Sequence, residues 1–446
     1  MKTLRFLLSI LVICLVSACT KDFQEDNLSQ STDNTDNEFK CKPLQLKIAV
    51  ISDIHYLHPS LLRNGATKGE AFQNYLLADP KLIEFSGPIF KKVIWELRFE
   101  RPDIVLIPGD LTKDGELMSH TAMAGMLQQL VREGIKVYVI PGNHDINNPE
   151  AVAYDGNIAS PTPTITAEEF KTIYNNFGYR NALYKDPSSL SYISQPYKDL
   201  WILGIDDCKY YNNTTFAIVS GRIKPETMSW ITSKMKEANE RNITVLAMMH
   251  HGILQHYTGQ NQLDPGYVTD DWETNAEALM NAGLKVMFTG HYHANDISMR
   301  SSDGNILYDI ETGSLVTPPS PYRMITFNGK NLDISTNRVY TINRPMPGGL
   351  SFTAYSRQFL VAHLDGIFTY ILSNPPYSLP DALTTFAAPL FRNAMMAHYA
   401  GDERISPWEQ AKDNELGTIA PELGDALMGI WTDLPPKDNK WQINLK

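Results

Sequence analysis

The sequence contains little cysteine and fewer basic than acidic residues. Four cysteines in 446 residues are too few for a disulfide scaffold. There are 39 Lys and Arg against 50 Asp and Glu, and the net charge of −11 gives the chain no overall attraction for a phosphate backbone. We therefore expect no nucleic-acid partner. A hydrophobic fraction of 43% and an aromatic fraction of 10% supply the apolar area for a large folded core.

The first residues have the pattern of an export signal. Lys2 and Arg5 precede an apolar run over residues 6–16, which is too short to cross a membrane as a mature helix. The small residues that follow end at Cys19, and this pattern resembles the lipobox of bacterial lipoproteins, in which cleavage leaves the cysteine as a lipidated N-terminus. The alternative is an ordinary signal peptide followed by a chance cysteine.

From this pattern we predict a lipoprotein signal peptide over residues 1–18 and lipidation of Cys19. Residues 19–43 are polar, acidic and nearly free of aliphatic side chains, which predicts a flexible tether. We therefore expect a cell-envelope lipoprotein on the periplasmic or surface side of the outer membrane, attached through its lipid only. Cys41 and Cys208 would remain free to pair, and the sequence leaves that question open.

Beyond the tether, strand-like and helix-like segments alternate. Buried-strand runs over residues 46–52, 103–107 and 136–140 are separated by helical patterns, and the same alternation continues further along the chain. Three closely spaced strands then follow. Strand–helix alternation predicts an α/β sheet covered by helices, and the later strands predict a second sheet packed on the first. We assign this domain to residues 44–340.

The rest of the chain has a different pattern. Helical periodicity over residues 352–372, 380–400 and 420–432 predicts a small, mainly helical C-terminal region at 341–446. Charged residues within the first of these helices argue against a second membrane span. We expect this region to pack against the catalytic body without supplying metal ligands, and we expect a structural role for His398.

Metal-ligating residue types follow five of the apolar strands. The five segments are Asp53-Ile-His55, Gly109-Asp110, Gly142-Asn143-His144-Asp145, His250-His251 and Gly290-His291-Tyr-His293. In such folds ligands collect outside the carboxyl ends of the strands, so the segments should converge. Carboxylates, imidazoles and an amide oxygen suit Mn, Fe or Zn better than Ca or Cu(I). Each motif alone is common and is usually structural, but all five in order predict a metal centre.

With these motifs, the stretch from Leu46 to Phe327 resembles the calcineurin-like metallophosphoesterases. The resemblance implies a four-layer α/β/β/α sandwich with a dinuclear metal centre. The implied ligands are Asp53, His55 and His293 for the first metal, Asp110 as the bridge, and Asn143, His250 and His291 for the second. By the same resemblance, His144 is the catalytic histidine, which contacts the phosphate or protonates the leaving group.

Two neighbouring side chains have open roles. The family's ligand is the first histidine of the strand-end pair, which selects His250, so that His251 either lines the site or packs behind it. Asp145 either orients the ring of His144 by a hydrogen bond or caps a helix.

Two absences after Asp110 narrow the subfamily. The arginine that protein Ser/Thr phosphatases carry four residues after the bridging aspartate is missing, which disfavours protein dephosphorylation. Lys113 stands where purple acid phosphatases carry their iron-binding tyrosine, so we expect no tyrosinate charge-transfer colour.

These features predict a metal-dependent phosphoesterase. Two cations would neutralise the phosphate and promote ionisation of a water held between them, and His144 would supply the proton for the departing oxygen. We expect attack by this metal-bound hydroxide on small phosphodiesters or related phosphoesters outside the cytoplasm. The alternatives are a phosphomonoesterase or nucleotidase, an inactive metal-binding surface lipoprotein, and a nuclease. The intact ligand set argues against inactivity, and the acidic composition argues against a nuclease.

A long insertion after the first motif bears on the substrate. Residues 56–85 exceed what a simple strand–helix–strand unit needs and contain Tyr56, Phe72, Tyr75 and Phe85. They could form a wall or lid over the substrate, or an aromatic core of their own.

Overall fold

A computed structural model describes residues 45–78 and 80–445. The predicted signal peptide and tether, together with Cys19 and Cys41, lie outside these residues. Within the part that is described, every helix is too short or too polar to cross a membrane. Cys208 is buried and forms no disulfide with any described residue.

Sixteen strands and eleven α-helices make up this part of the chain. The strands are β1 (Leu46–Val50), β2 (Leu62–Arg63), β3 (Ile104–Pro108), β4 (Lys136–Ile140), β5 (Val152–Asp155), β6 (Ile158–Pro161), β7 (Tyr184–Lys185), β8 (Tyr192–Tyr197), β9 (Leu200–Ile205), β10 (Thr244–Met249), β11 (Val286–Thr289), β12 (Ile297–Ser302), β13 (Asn305–Glu311), β14 (Pro321–Phe327), β15 (Asn331–Arg338) and β16 (Lys440–Asn444). The helices are α1 (Glu70–Ala78), α2 (Ser86–Glu100), α3 (Leu117–Arg132), α4 (Ala167–Ile173), α5 (Pro225–Glu240), α6 (Gln260–Leu263), α7 (Trp272–Asn281), α8 (Phe352–Ser373), α9 (Asp381–Ala400), α10 (Pro407–Ile419) and α11 (Pro421–Trp431).

Two large sheets face each other. The first has the order β16-β15-β14-β1-β3-β4, with β1, β3 and β4 parallel, and the second has the order β12-β13-β11-β10-β9-β8-β7, with β9, β10, β11 and β13 parallel. Ile48 and Leu106 of the first sheet share one buried core with Ile202 and Met248 of the second. All five residues of β3 are buried, as expected for a continuous apolar run in a parallel strand covered on both faces.

Helices cover the outer faces of both sheets. α5 and α7 pack on the second sheet, where Ile231 and Leu279 meet Trp201 in a separate apolar cluster. α2 and α3 lie on the first sheet and contribute Leu97 and Leu127 to its core. These layers form the four-layer α/β/β/α sandwich that was predicted.

The aromatic insertion packs into the core. Tyr56, Phe72 and Phe85 are each at most 4% exposed, and the ring of Phe72 lies 5.0 Å from that of Tyr154. β2 of this insertion pairs with β5, which follows the loop after β4, in a small sheet of order β2-β5-β6. Neither role considered from the sequence fits these residues: Tyr56, Phe72 and Phe85 belong to the main core that both sheets share, and they form neither a separate core nor a wall over the substrate.

The C-terminal region contains two elements that the sequence prediction omits. α10 begins at a capping box of Ser406 and Glu409 with Pro407 in its first turn, a signal that the sequence does carry. β16 pairs antiparallel with β15, so the last described residues return to the first sheet. A single short strand has no local signal of its own, because its pairing depends on a partner about a hundred residues away. The boundary at residue 340 stays a prediction.

The C-terminal helices pack on loops that leave the second sheet. Leu364 of α8, Phe391 of α9 and Leu427 of α11 share an apolar cluster with Tyr257 and Tyr292. Because Tyr292 lies between two predicted metal ligands, the helical region adjoins the predicted site directly. The sequence predicts the packing but not this position.

A buried charged network joins the same region to the body. His256 Nδ1 lies 2.7 Å from Asp296 Oδ1, and His398 Nδ1 lies 2.5 Å from Glu403 Oε1. Asp296, His398 and Glu403 also bring three potential metal-ligating atoms within 4.8 Å of one another. The sequence predicts no such group, because Asp296 lies in the body and reaches the other two only through tertiary packing.

Candidate metal centre

The seven predicted metal ligands meet at one end of the two sheets. Asp53 and His55 follow β1, Asp110 follows β3, Asn143 follows β4, His250 follows β10, and His291 and His293 follow β11. All are at most 5% exposed except His293, which is partly exposed. The five separated segments therefore converge as the sequence predicts.

The first group consists of Asp53, His55 and His293. The Nε2 atoms of His55 and His293 are 3.2 Å apart. Asp53 Oδ1 lies 3.9 Å from Nε2 of His55 and 3.5 Å from Nε2 of His293. Two facing imidazole nitrogens can share only one proton, whereas a cation between them would be bound by both lone pairs.

The second group contains His250, Asn143 and His291. His250 Nε2 lies 3.0 Å from Asn143 Oδ1, and His291 belongs to the same cluster of potential ligand atoms. Asp110 Oδ2 lies 3.5 Å from His250 Nε2 and also 3.5 Å from His55 Nε2 of the first group. Asp110 thus stands between the two groups, the position that a bridging carboxylate would occupy.

Other contacts fix which nitrogen of two histidines is available to a metal. His250 Nδ1 donates to the carbonyl oxygen of Pro108 at 2.8 Å, and His291 Nε2 donates to that of Gly266 at 3.3 Å. A carbonyl oxygen only accepts, so the remaining nitrogen of each neutral ring keeps its lone pair. The donor set therefore fits divalent metal ions.

The backbone at the site is unusually strained. Five of the seven ligands adopt left-handed φ values, which are 50° at Asp53, 42° at His55, 48° at Asp110, 76° at His291 and 67° at His293. Non-glycine residues rarely adopt this region, at a cost on the order of 1–3 kcal/mol each. Such strain persists only where the surrounding structure enforces it, and it is concentrated at functional sites.

Two glycines allow the ligand loops to approach closely. A Cβ atom at Gly142 would collide with the carboxylate of Asp110, and one at Gly290 would collide with that of Asp53. Glycine at these positions is therefore required by space between the loops.

His144 faces the centre and is oriented by Asp114. Its Nδ1 donates to Asp114 Oδ1 at 2.8 Å, and its Nε2 lies 4.0 Å from Asp110 Oδ2. Burial alone would lower the pKa of His144, but the charge of Asp110 and the hydrogen bond to Asp114 outweigh it, so the pKa is raised. Asp114 is itself paired with Lys113, whose ammonium lies 4.2 Å from the ring centre of Tyr75.

Asp145 has neither of the two roles considered from the sequence. Its carboxylate accepts from the backbone N–H groups of Leu111, Thr112 and Gly142 at 3.1, 3.0 and 2.9 Å. It therefore connects the loops after β3 and β4 and does not contact the ring of His144. The sequence does mark Asp114. It stands four residues after Asp110, a position that the sequence analysis considered only because an arginine is missing from it.

His251 packs behind the second group. Its Nδ1 lies 3.0 Å from Asp207 Oδ2, its Nε2 donates to the carbonyl oxygen of Val219 at 2.7 Å, and its ring centre lies 4.2 Å from that of His291. Both ring nitrogens therefore have protein partners, which favours a supporting position over one that lines the site.

Lys81 is a further charged residue at the site, and no sequence motif marks it. Lys81 is 6% exposed. The pKa of His55 is well below the usual range, mainly because His55 is buried and further because of the positive charge of Lys81. Lys81, Asp110, Asn143 and His144 all border a cavity of about 1010 Å³ that opens over the centre.

Comparison with known families gives a match to Calcineurin-like phosphoesterase over residues 46–295. The chain belongs to the calcineurin-like phosphoesterase family. The match confirms the predicted fold class and shows that this phosphoesterase is a metal-dependent phosphoester hydrolase. The family and the clustered ligands support divalent metal ions as cofactors.

Individual relatives of this phosphoesterase are distant. It is 37% identical over 70 residues to a protein of Vesicomyosocius okutanii (strain HA) named probable cyclic nucleotide phosphodiesterase, and this covers 16% of the chain and 29% of that protein. A dimetal phosphatase from Danio rerio has a TM-score of 0.45 at 12% identity, covering 66% of this chain and 96% of its own. A purple acid phosphatase from yellow lupin has a TM-score of 0.39 at 12% identity, and the match covers 70% of this chain and 53% of the lupin protein.

Proposed function

We propose that this enzyme uses two metal ions, drawn from Mn, Fe and Zn, to hydrolyse small phosphodiesters or related phosphoesters outside the cytoplasm. The observation that carries the dinuclear assignment is the position of Asp110, whose Oδ2 lies 3.5 Å from one histidine nitrogen of each ligand group. When bound, the metals neutralise phosphate charge and lower the pKa of a water.

The first metal would be held by Asp53, His55 and His293, and the second by Asn143, His250 and His291, with Asp110 shared. His144 would donate a proton to the departing oxygen. Its side chain is 22% exposed and borders the cavity, so a bound ester can reach it. Its raised pKa favours the protonated form, which a general acid requires.

Lys81 would contact a phosphoryl oxygen that the metals leave uncovered. Among the described residues that line the cavity, it is the single lysine or arginine. One cation beside the centre suits a compact phosphoester, whereas a long polyanion needs a basic surface that continues beyond the reacting phosphate. This supports a small-molecule substrate over a nucleic acid.

The relative named as a probable cyclic nucleotide phosphodiesterase agrees with phosphodiester hydrolysis, although the match covers only 29% of that protein. Phosphomonoesterase activity would use the same metal centre.

We further propose that lipidation of Cys19 attaches the enzyme to the cell envelope. If so, Cys19→Ser should move the protein from the membrane fraction to the soluble fraction, and unchanged membrane association would contradict it.

The substrate assignment is tested with metal-loaded enzyme on bis(4-nitrophenyl) phosphate and 4-nitrophenyl phosphate. We expect the higher kcat/KM for the diester. A large preference for the monoester would replace the diesterase proposal with a phosphomonoesterase, and absence of turnover of both would favour an inactive metal-binding protein.

A further inference from the structure

The cavity over the metal centre has two chemically different halves. One half is polar and contains His144, Lys81 and four of the predicted ligands, which are Asp110, Asn143, His291 and His293. The other half is formed by the C-terminal helices, and its main side chains, here called the apolar wall, are Leu364, Phe368 and Ile371 of α8, Phe391 and Met395 of α9, and Ile430 of α11. No part of this wall comes from the aromatic insertion.

The wall leaves apolar groups uncovered at its rim. Ile371 is 40% exposed, Tyr370 is 70% exposed and Tyr377 is 37% exposed, and all three border the same cavity. Single exposed apolar residues are common on protein surfaces, but a cluster at the mouth of a cavity that contains a catalytic centre indicates a binding surface.

Two buried tyrosine hydroxyl groups near the wall are already engaged. The hydroxyl groups of Tyr257 and Tyr292 both donate to Asp264 Oδ2, at 2.6 and 2.7 Å. They are therefore not the ligand donors that a sugar or a nucleobase would require. The side chains of the apolar wall offer aliphatic and aromatic carbon, so the wall favours a ligand group that is itself a hydrocarbon.

The size of the cavity supports the same conclusion. Its volume of about 1010 Å³ far exceeds the space of a phosphate group. Small-molecule sites typically combine a predominantly apolar lining with a few polar groups that fix orientation. Here the polar groups lie at the metal centre, so a substrate anchored there by its phosphate would extend its alcohol group along the wall.

We propose that the substrate is a phosphoester of an alcohol with an aliphatic chain, and that the apolar wall binds this chain. This inference rests on the proposed function, because the phosphate must be held at the metal centre. It assigns substrate selectivity to the C-terminal region, which contains none of the predicted ligands.

Binding of alkylphosphonic acids with one to eight carbons to the metal-loaded full chain tests the proposal without turnover. Isothermal titration should show affinity rising by about fourfold for each methylene buried, until the wall is filled. Affinity that is independent of chain length would overturn the proposal.

A variant pair links this effect to the wall. Ile371→Ser should weaken binding of octylphosphonic acid by at least about fourfold while leaving that of methylphosphonic acid unchanged. Ile419→Ser is the matched control, since Ile419 lies at the end of α10, is 56% exposed and does not line the cavity. Equal effects of the two substitutions would contradict the assignment.

Kinetics separates failure of this proposal from failure of the proposed function. 4-Nitrophenyl octyl phosphate should be hydrolysed with a higher kcat/KM than 4-nitrophenyl methyl phosphate and than thymidine 5′-(4-nitrophenyl phosphate). If the methyl ester is hydrolysed and the octyl ester is not preferred, the wall has another role and the phosphodiesterase proposal stands. If none of the three is hydrolysed, the phosphodiesterase proposal itself fails.

Discussion

Asp114 Oδ1 accepts a hydrogen bond of 2.8 Å from Nδ1 of His144, and this contact fixes the imidazole whose other nitrogen faces the metal centre. Asp114 is buried and is also paired with Lys113. A carboxylate held from two sides can orient the ring and stabilise its charged form. We therefore regard Asp114 as the positioning residue for His144.

Replacing this carboxylate should impair turnover but not metal binding. Asp114→Asn removes the charge that favours protonated His144, so kcat should fall by about 10- to 1000-fold, a part of what general acid catalysis contributes. The alkaline limb of the pH–rate profile should move to lower pH, because the pKa of His144 would fall. Metal content should stay at the wild-type value.

Glu116→Gln is the control for Asp114→Asn. Glu116 is a buried carboxyl two residues away, and burial raises its pKa to about 7. Neutralising it should leave kcat within about threefold of wild type. If the two substitutions had the same effect on kcat, the loss would reflect general damage to the loop.

Asp110 and His144 should respond differently to replacement by alanine. Asp110→Ala should lose both metals and nearly all activity, because a carboxylate shared by two ions has no substitute. His144→Ala should keep the metals and lose turnover. Elemental analysis of both purified variants is the measurement, and loss of metal from His144→Ala would show that the ligand assignment is wrong.

Lys81 should contribute to phosphate binding. Lys81→Met removes a buried positive charge next to the centre and should lower kcat/KM by about 10- to 100-fold, the range for a hydrogen bond to a charged group. Lys91→Met is the comparison, because Lys91 is an exposed lysine on α2 away from the cavity. If steady-state kinetics gave both variants the kcat/KM of wild type, Lys81 would have no role in phosphate binding.

His256 gives stability a dependence on pH. Burial lowers its pKa, but Asp309, Glu311 and Asp296 surround the ring and raise the pKa well above its usual value. A raised pKa in the folded state stabilises the fold fully below about pH 6.5, and this contribution declines as the pH rises toward the folded-state value.

His256→Gln removes this contribution. In urea unfolding of metal-free protein, wild type should exceed the variant in free energy of unfolding by more at pH 6 than at pH 9. The difference should narrow by at most about 1.4 kcal/mol per pH unit, the value for one proton. A difference that is constant with pH would show that His256 is neutral in the fold.

The sequence predicts most of the body because its signals are local. β3 is a continuous apolar run, and Asp110 follows it directly, so strand and ligand are both visible in one short segment. The same holds for the histidines after β10 and β11. Convergence of these segments follows from the parallel strands alone.

What the sequence does not predict depends on distant contacts. Lys81 carries no motif, and its place beside His144 results from packing of an insertion against the body. The residues of the apolar wall likewise show only the apolar spacing of an ordinary helix. That spacing is the same whether a side chain such as Phe368 faces a core or a cavity. β16 was missed for the same reason, because its pairing with β15 joins distant parts of the chain.

The central claim is a centre of two metals joined by Asp110, and metal titration tests it most directly. Chelator-treated enzyme is reloaded stepwise with Mn, Fe or Zn, while bound metal is measured by elemental analysis and activity by hydrolysis of bis(4-nitrophenyl) phosphate. We predict binding of two ions per chain, with activity rising until the second is bound. Saturation at one ion, or activity that survives complete removal of metal, would contradict the account.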